Sequence, residues 1–263
     1  MSVKVLVLVL SVDREPWRSI ELQGQRPTWA SPSALDDCAP VRFYRGKMTG
    51  PVRFAIMSVI RMLAVAGSAR PGSLASRARD RFLRSTGRHF CQSGSRTVND
   101  IITTDVPETY AMVTAKLFAA LKHVLATEEF DYLFRTNTST YVDRQGLLEF
   151  AEVQPRSGYW GGFLGVFEGI TFTSGTGTLL SRDCVEMALA AEWDWALLDD
   201  VALGRVLCSL GIEAQPIARP ILESTEEATN ADLDAFYWRC KGVHERNDVE
   251  IMRELHAVLD SNR

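Results

Sequence analysis

The chain has 263 residues, 46% of them hydrophobic and 24% charged, with a formal charge of −4. That is the composition of a globular domain with room for one large core or two small ones, and the acidic balance argues against nucleic acid as a partner. Five scattered cysteines (Cys38, Cys91, Cys184, Cys208, Cys240) and four histidines (His89, His123, His244, His256) show no metal-ligand spacing, which argues against a zinc site and fits a reduced, cytoplasmic setting.

The run Val3-Lys4-Val5-Leu6-Val7-Leu8-Val9-Leu10 predicts a buried parallel strand. It is too short to span a bilayer and lacks the cleavage site of a signal peptide. The strand ends at Ser11-Val12-Asp13-Arg14. Residues 23–29 predict a polar loop, in the place where α/β nucleotide-binding domains hold a base or phosphates. No GxGxxG or P-loop occurs, which excludes the usual dinucleotide and ATP motifs. Residues 41–46 predict a second strand closed by Gly46.

Residues 48–98 differ in kind. Nine arginines (Arg53, Arg61, Arg70, Arg77, Arg79, Arg81, Arg84, Arg88, Arg96) face one acid, Asp80. The local charge is +8, and taking that from −4 leaves −12 on the rest of the chain. The stretch reads as a surface insertion, a half-buried helix followed by a flexible basic arm. A second reading is a contact with an anionic partner: a membrane surface, a lipid-linked phosphate or an acidic polymer.

Tyr110, Val113, Leu117, Leu121, Val124 and Leu125 recur at helical spacing after Pro107. Then comes Phe130-Asp131-Tyr132-Leu133-Phe134-Arg135-Thr136-Asn137-Thr138-Ser139-Thr140-Tyr141-Val142-Asp143. Its first half predicts a buried strand. Its second half turns small and polar, which reads either as an ordinary strand exit or as a floor for a polar ligand. Asp143 caps a predicted helix through Leu147, Leu148 and Phe150. Glycines alternate with aromatics in residues 158–165 and punctuate residues 173–181, so backbone must approach a neighbour closely there. Asp183 opens a helix that ends at Glu192-Trp193-Asp194-Trp195. Asp199 and Asp200 open another that stops at Gly211. Carboxylates at a helix N-terminus are favoured by its dipole, so they read as capping or, for one of them, as an ionised general base. Residues 217–222 look strand-like, and residues 236–246 form an aromatic and basic cluster. Asn247 and Glu250 give a capping-box-like start to a last helix. Strands alternate with helices throughout, which predicts an α/β layered domain.

Four of these stretches, in this order, resemble the fringe and β-1,3-galactosyltransferase family of glycosyltransferases. They are Glu108-Thr109-Tyr110-Ala111-Met112-Val113-Thr114-Ala115-Lys116, residues 135–143, Ser174-Gly175-Thr176-Gly177-Thr178-Leu179-Leu180-Ser181, and Asp199-Asp200-Val201-Ala202-Leu203-Gly204. The resemblance implies a single GT-A-like, Rossmann-like domain over residues 1–263, with a mixed, mostly parallel central sheet flanked by helices. It implies an inverting enzyme that moves a sugar from a nucleotide-sugar donor, a UDP-sugar, to a hydroxyl of a glycan or lipid-linked acceptor. Asp200 matches the family's general base. Ser11, Arg26, Arg135, Thr136, Asn137, Thr138 and Ser139 then fall to the donor. Trp160, Gly162, Gly175, Gly177 and Asp199 fall to the sugar and acceptor side, where Trp193 and Trp195 could also stack on a ring. Lys241, His244 and Arg246 become candidates for neutralising phosphate.

The chain departs from the family at its acidic metal-binding triplet, which here reads Asn137-Thr138-Ser139. Two hydroxyls and an amide hold Mn²⁺ or Mg²⁺ poorly. The expectation is therefore no metal ligand set, with cationic side chains in the metal's role, unless metal is held elsewhere or catalysis is lost. Two rival readings stand beside it: a non-catalytic sugar- or nucleotide-binding protein, and a module that binds an anionic surface, peripheral to a membrane, through residues 48–98.

Overall fold

The computed structural model describes residues 3–47, 50–67, 73–243 and 245–262. The strands are β1 (Val5–Leu10), β2 (Val41–Lys47), β3 (Ser95–Val98), β4 (Ile101–Pro107), β5 (Tyr132–Asn137), β6 (Thr140–Val142), β7 (Trp160–Phe167), β8 (Ile170–Ser181), β9 (Ala214–Pro216), β10 (Ile221–Leu222) and β11 (Tyr237–Cys240). The helices are α1 (Trp17–Ser19), α2 (Pro51–Gly67), α3 (Leu74–Phe90), α4 (Val113–Thr127), α5 (Arg144–Glu152), α6 (Arg182–Ala190), α7 (Asp199–Ser209), α8 (Thr225–Thr229) and α9 (Asp248–Ser261).

Eight strands form one sheet in the order β3-β4-β2-β1-β5-β8-β7-β9. β1 is parallel to β2 and β5, β2 to β4, and β7 to β9, while β8 is antiparallel to both β5 and β7 and β3 to β4. All but β3 and β8 therefore point one way, and the mostly parallel α/β architecture expected from the sequence is what forms. Alternation along β1 sends Val5, Val7 and Val9 to one face and Leu6 and Leu8 to the other. The first face is covered by Leu147 of α5, by Tyr237 and Trp238 of β11, and by Ile251, Met252 and Leu255 of α9. The second is covered by Leu117 and Leu121 of α4, Val185 of α6, and Leu203 and Leu207 of α7.

The chain runs outward from β1 through β2 and β4, then crosses back to β5 on the other side of β1. That reversal leaves a crevice at the carboxyl ends of β1 and β5, where open sheets of this kind hold ligands. Just past it the backbone leaves the main sheet. Asn137 Oδ1 accepts the N–H of Ser139 (3.0 Å), and its Nδ2 donates to the carbonyl of Gly175 (3.1 Å). This fixes a tight turn through Thr138 and Ser139 into β6, which joins β11 and β10 in a second, three-stranded sheet. Gln25 supports the turn from below, its Nε2 donating to the carbonyls of Asn137 and Thr140 (both 3.1 Å).

Several expectations are corrected. Residues 23–29 are not a ligand loop: Ile20–Gln25 is π-helical, and Gln25, Thr28 and Trp29 are buried scaffold. In the basic stretch the expected first helix is α2, while the part expected as a flexible arm contains a second helix, α3, over Leu74–Phe90. Only Ile221 and Leu222 of the strand-like 217–222 pair in a sheet. Asn247 makes no capping bond. The start of α9 is held instead by Arg246, which donates to both oxygens of buried Asp248 at 2.9 and 3.0 Å.

The start of α6 gives a pH prediction. Asp183 accepts hydrogen bonds from Ser157 Oγ (2.5 Å), Gly158 N (2.9 Å) and Ser181 Oγ (2.6 Å). Burial works against its charge, but these donors win and hold the carboxyl below the usual 3.8. A depressed folded pKa stabilises the native state above the unfolded value, and that stability disappears as pH falls through the folded one. Melting temperature should therefore drop on acidification below about pH 4, and less steeply in Asp183→Asn.

Candidate functional site

A cavity of about 510 Å³ fills the crevice. Leu10, Ser11 and Val12 line it from the end of β1, and Arg14 and Trp17 from the segment that follows. Asn137, Thr138 and Ser139 line it from the β5–β6 turn, and Thr176 from β8. The junction of β4 and α4 adds Glu108, Thr109, Tyr110, Val113 and Lys116, while α2 adds Arg53 and Met57. Arg239, Lys241 and Arg246 close the remaining side.

The last three are brought there by strand pairing. Thr140 of β6 lies opposite Arg239 of β11, and the N–H of Cys240 donates to the carbonyl of Ser139 at 2.8 Å. Two stretches a hundred residues apart in sequence, the polar strand end and the basic cluster, thereby become two walls of one cavity. Arg246, fixed by buried Asp248, also donates to Ser139 Oγ (3.3 Å). His244 lies outside the described residues.

The charged residues of the walls are nearly all of one sign. Arg14, Arg53, Lys116, Arg239, Lys241 and Arg246 are basic, and Glu108 is the single acid among the lining residues. Glu108 is already committed: one carboxylate oxygen pairs with buried Lys116, and the other accepts the N–H of Gly46 at 2.6 Å. Arg53 donates to the carbonyl of Glu108 (3.0 Å). Among the described residues Arg14, Arg239 and Lys241 form no ion pair. Clustered cations without counter-ions in a concave wall create a strong positive potential, and they suit a ligand carrying several negative charges.

Beneath the cavity lies a buried charged cluster. Arg135 forms an ion pair with Asp199 at the start of α7. Burial opposes the charge on the guanidinium, but Asp199, Tyr44 and Asp200 outweigh it and raise its pKa above the ordinary arginine value. Tyr44 is pushed up to about 12, first by burial. The guanidinium lies against the Cα of Gly175, where any side chain would collide with it. Next to the pair, Asp200 is only partly buried. Its Oδ2 accepts the N–H of Gly175 (3.1 Å) and its Oδ1 that of Val201 (2.9 Å). Tyr110, at the cavity mouth, has its phenol pushed up by desolvation and then by the carboxylates of Asp199 and Asp200. Asp200 does not line the cavity itself, but through Gly175 it adjoins Thr176, which does.

The residues anticipated from sequence divide into three groups. Ser11, Asn137, Thr138, Ser139, Lys241 and Arg246 line the cavity. Asp199, Arg135, Thr136 and Gly175 are not among the lining residues: Asp199 is the buried ion-pair partner of Arg135, and Thr136 Oγ1 donates to the carbonyl of Thr176 at 2.7 Å. The others are elsewhere. Arg26 is taken by Glu21 and Asp100 at 2.9 and 2.7 Å and stacks on Phe43. Trp160 is a core residue whose Nε1 donates to Thr173 Oγ1 (2.8 Å). Gly162 and Gly177 allow close packing, against the carbonyl of Gly177 and the ring of Tyr237 respectively. Trp193 and Trp195 stack on each other and pack on Phe118.

Arg14, Trp17, Arg53, Glu108, Tyr110, Lys116, Thr176 and Arg239 line the cavity without having been singled out for it. The spacing of Glu108 and Lys116 was part of the motif at the start of α4, and Arg239 was in the basic cluster, so a signal existed for those. Arg14, Trp17 and Arg53 gave none, because only the fold brings them together.

A divalent metal finds poor ligands in this turn. Asn137 Oδ1, the best of the neutral oxygens, is used by Ser139 N and Thr140 Oγ1. Among the described residues no group of three or more His, Cys, Asp or Glu side chains is placed to hold an ion. Hard cations want charged oxygen ligands, and the donor set present does not supply them.

No family model and no curated protein matches the chain. Solved structures do, among them mouse xyloside xylosyltransferase 1 in its apo form. It is 7% identical over 91% of this chain and 97% of its own, with a TM-score of 0.41. The fringe and β-1,3-galactosyltransferase resemblance is thus without a matching family model.

Proposed function

We propose that the protein is a glycosyltransferase that binds a nucleoside-diphosphate sugar in the cationic cavity and transfers the sugar to an acceptor hydroxyl. The observation that carries this is the convergence of Arg14, Arg239, Lys241 and Arg246 on the polar strand end at residues 137–139, with a carboxylate, Asp200, bonded to Gly175 next to the lining residue Thr176. In this reading the arginines and Lys241 neutralise the diphosphate, and the hydroxyls of Thr138 and Ser139 hydrogen-bond its polar groups, while Ser11 Oγ, which donates to Glu21, is left only as an acceptor. The acceptor oxygen bonds to the anomeric carbon as the bond from that carbon to the phosphate oxygen breaks. The leaving oxygen keeps the bonding pair, and the acceptor proton passes to Asp200. Inversion follows from a single displacement. Charge on the leaving diphosphate is stabilised by fixed cations, a form of electrostatic preorganisation that needs no metal ligand set.

Calorimetric titration with UDP and UDP-sugars in EDTA tests this. Binding in EDTA is expected, with Arg239→Gln and Lys241→Gln each weakening it by about tenfold to a hundredfold, as loss of a charge-assisted bond does. If no nucleoside diphosphate binds, the reading fails. Should EDTA abolish binding and Mn²⁺ restore it, the metal-free part of the reading is wrong.

A further inference from the structure

The sugar-transfer reading leaves the arginine-rich stretch without a role. α2 and α3 pack on each other as a helical hairpin. α2 turns Arg53 and Met57 to the cavity, buries Ile56, and lays Ile60 against the core. Its remaining face carries Phe54 and Met62, which are 76% and 64% exposed. On α3, Arg77, Arg81, Arg84 and Arg88 follow at steps of four, three and four residues, which puts them in one stripe. Arg84 and Arg88 pair with Asp194 and Glu192, whereas Arg77 and Arg81 have no acidic partner among the described residues. Leu74, 85% exposed, opens the same helix.

We propose that this hairpin is a bilayer-docking surface, with Phe54, Met62 and Leu74 entering the headgroup boundary of an anionic membrane and Arg77 and Arg81 meeting lipid phosphates. Two observations favour a bilayer over a soluble polyanion. Large apolar side chains on a helix face left in water are unfavourable, which the apolar layer of a bilayer relieves and a soluble polyanion does not. The charge is also segregated, +8 on residues 48–98 against −12 elsewhere, so an anionic surface attracts the hairpin and repels the rest of the chain. Among the described residues no helix is long and apolar enough to cross a membrane, so docking is along the surface. Because α2 is also a wall of the cavity, docking would set the mouth beside the lipid. Resting on the function proposed above, this makes the acceptor a lipid-anchored one.

The test is co-sedimentation of the full chain with vesicles of phosphatidylcholine alone or mixed with phosphatidylglycerol. The protein should pellet with the anionic vesicles only. Arg77→Gln/Arg81→Gln should lower the partition coefficient about 25-fold, at about fivefold per charge. Phe54→Ser/Met62→Ser should lower it by about tenfold or more. All four side chains are at the surface, so melting temperatures should stay near the parent's and certify that both variants fold. Failure to pellet with anionic vesicles overturns the proposal. So does pelleting that the Phe54→Ser/Met62→Ser variant leaves unchanged and soluble polyphosphate competes away, which would identify an acidic polymer. The vesicle assay contains no nucleotide and the donor titration no lipid, so each reading can fail without the other.

Discussion

Asp199→Ala should lower the unfolding free energy by about 3–5 kcal/mol, visible as a fall in the urea midpoint at unchanged slope. The reason is what the change leaves behind. Arg135 is buried, and two of its nitrogens, Nε and Nη1, already have no hydrogen-bond partner. Its charge is held by one carboxylate, with Tyr44 and the backbone of Gly175 around it. Arginine does not discharge at accessible pH, so the cost cannot be escaped by losing a proton. Arg135→Met should be destabilising too, since it strands Asp199. The double change Arg135→Met/Asp199→Leu should recover most of the loss, because burying two charges costs nearly as much as their attraction returns. Were either single change to cost less than about 1 kcal/mol, the pair would behave like an exposed one that water reaches.

This pair also shows where sequence reading stops. Arg135 looked like the charged neighbour of a ligand floor, because it directly precedes Thr136-Asn137-Thr138-Ser139. Depth along the strand decides otherwise: residue 137 and the turn after it meet the crevice, while 135, on the same face but one pair deeper, is buried against Asp199. The partner, Asp199, is 64 residues away, and no local pattern links the two. The α/β layering was legible because it rests on local signals. An eight-residue apolar run, helical spacing from Tyr110 onward, and glycines at tight strand crossings each carry their own meaning. Glycines 162, 175 and 177 were rightly read as points of close approach, but what approaches them is protein.

The cavity's charge was only half legible. Lys241 and Arg246 announced themselves by crowding with Arg239 in one short stretch. Arg14 and Arg53 did not, since an isolated arginine after a strand or at a helix start reads as solvated surface. Tertiary structure gives them their meaning, by folding the carboxyl ends of β1 and β5, the start of α2 and the β11 edge around one volume. The tryptophans failed in the opposite direction. An indole in sequence suggests sugar stacking as readily as core, and burial of Trp160, Trp193 and Trp195 chose the core.

Asp200→Asn should reduce transfer by about a hundredfold to ten-thousandfold while nucleoside diphosphate affinity is kept. The carboxylate sits at the first turn of α7, and it accepts N–H groups from Gly175 and Val201. Each oxygen keeps a further lone pair, so it can still take a proton from an acceptor hydroxyl. An amide has the same shape but no basic oxygen, and its NH₂ must face one of those two N–H groups. The loss should therefore appear in kcat. Arg239→Gln and Lys241→Gln should show the opposite split, with donor binding weakened before the chemical step is touched. If Asp200→Asn leaves turnover intact, the base lies elsewhere; if the parent chain binds donor and never turns it over, the protein is a binding module on the same frame. Asp199 enters this comparison as a positioning residue. Its pairing with Arg135 ties the first turn of α7 to the end of β5. Asp199→Asn, where it folds, should therefore lower kcat through a displaced Asp200, and should do so without shifting donor affinity.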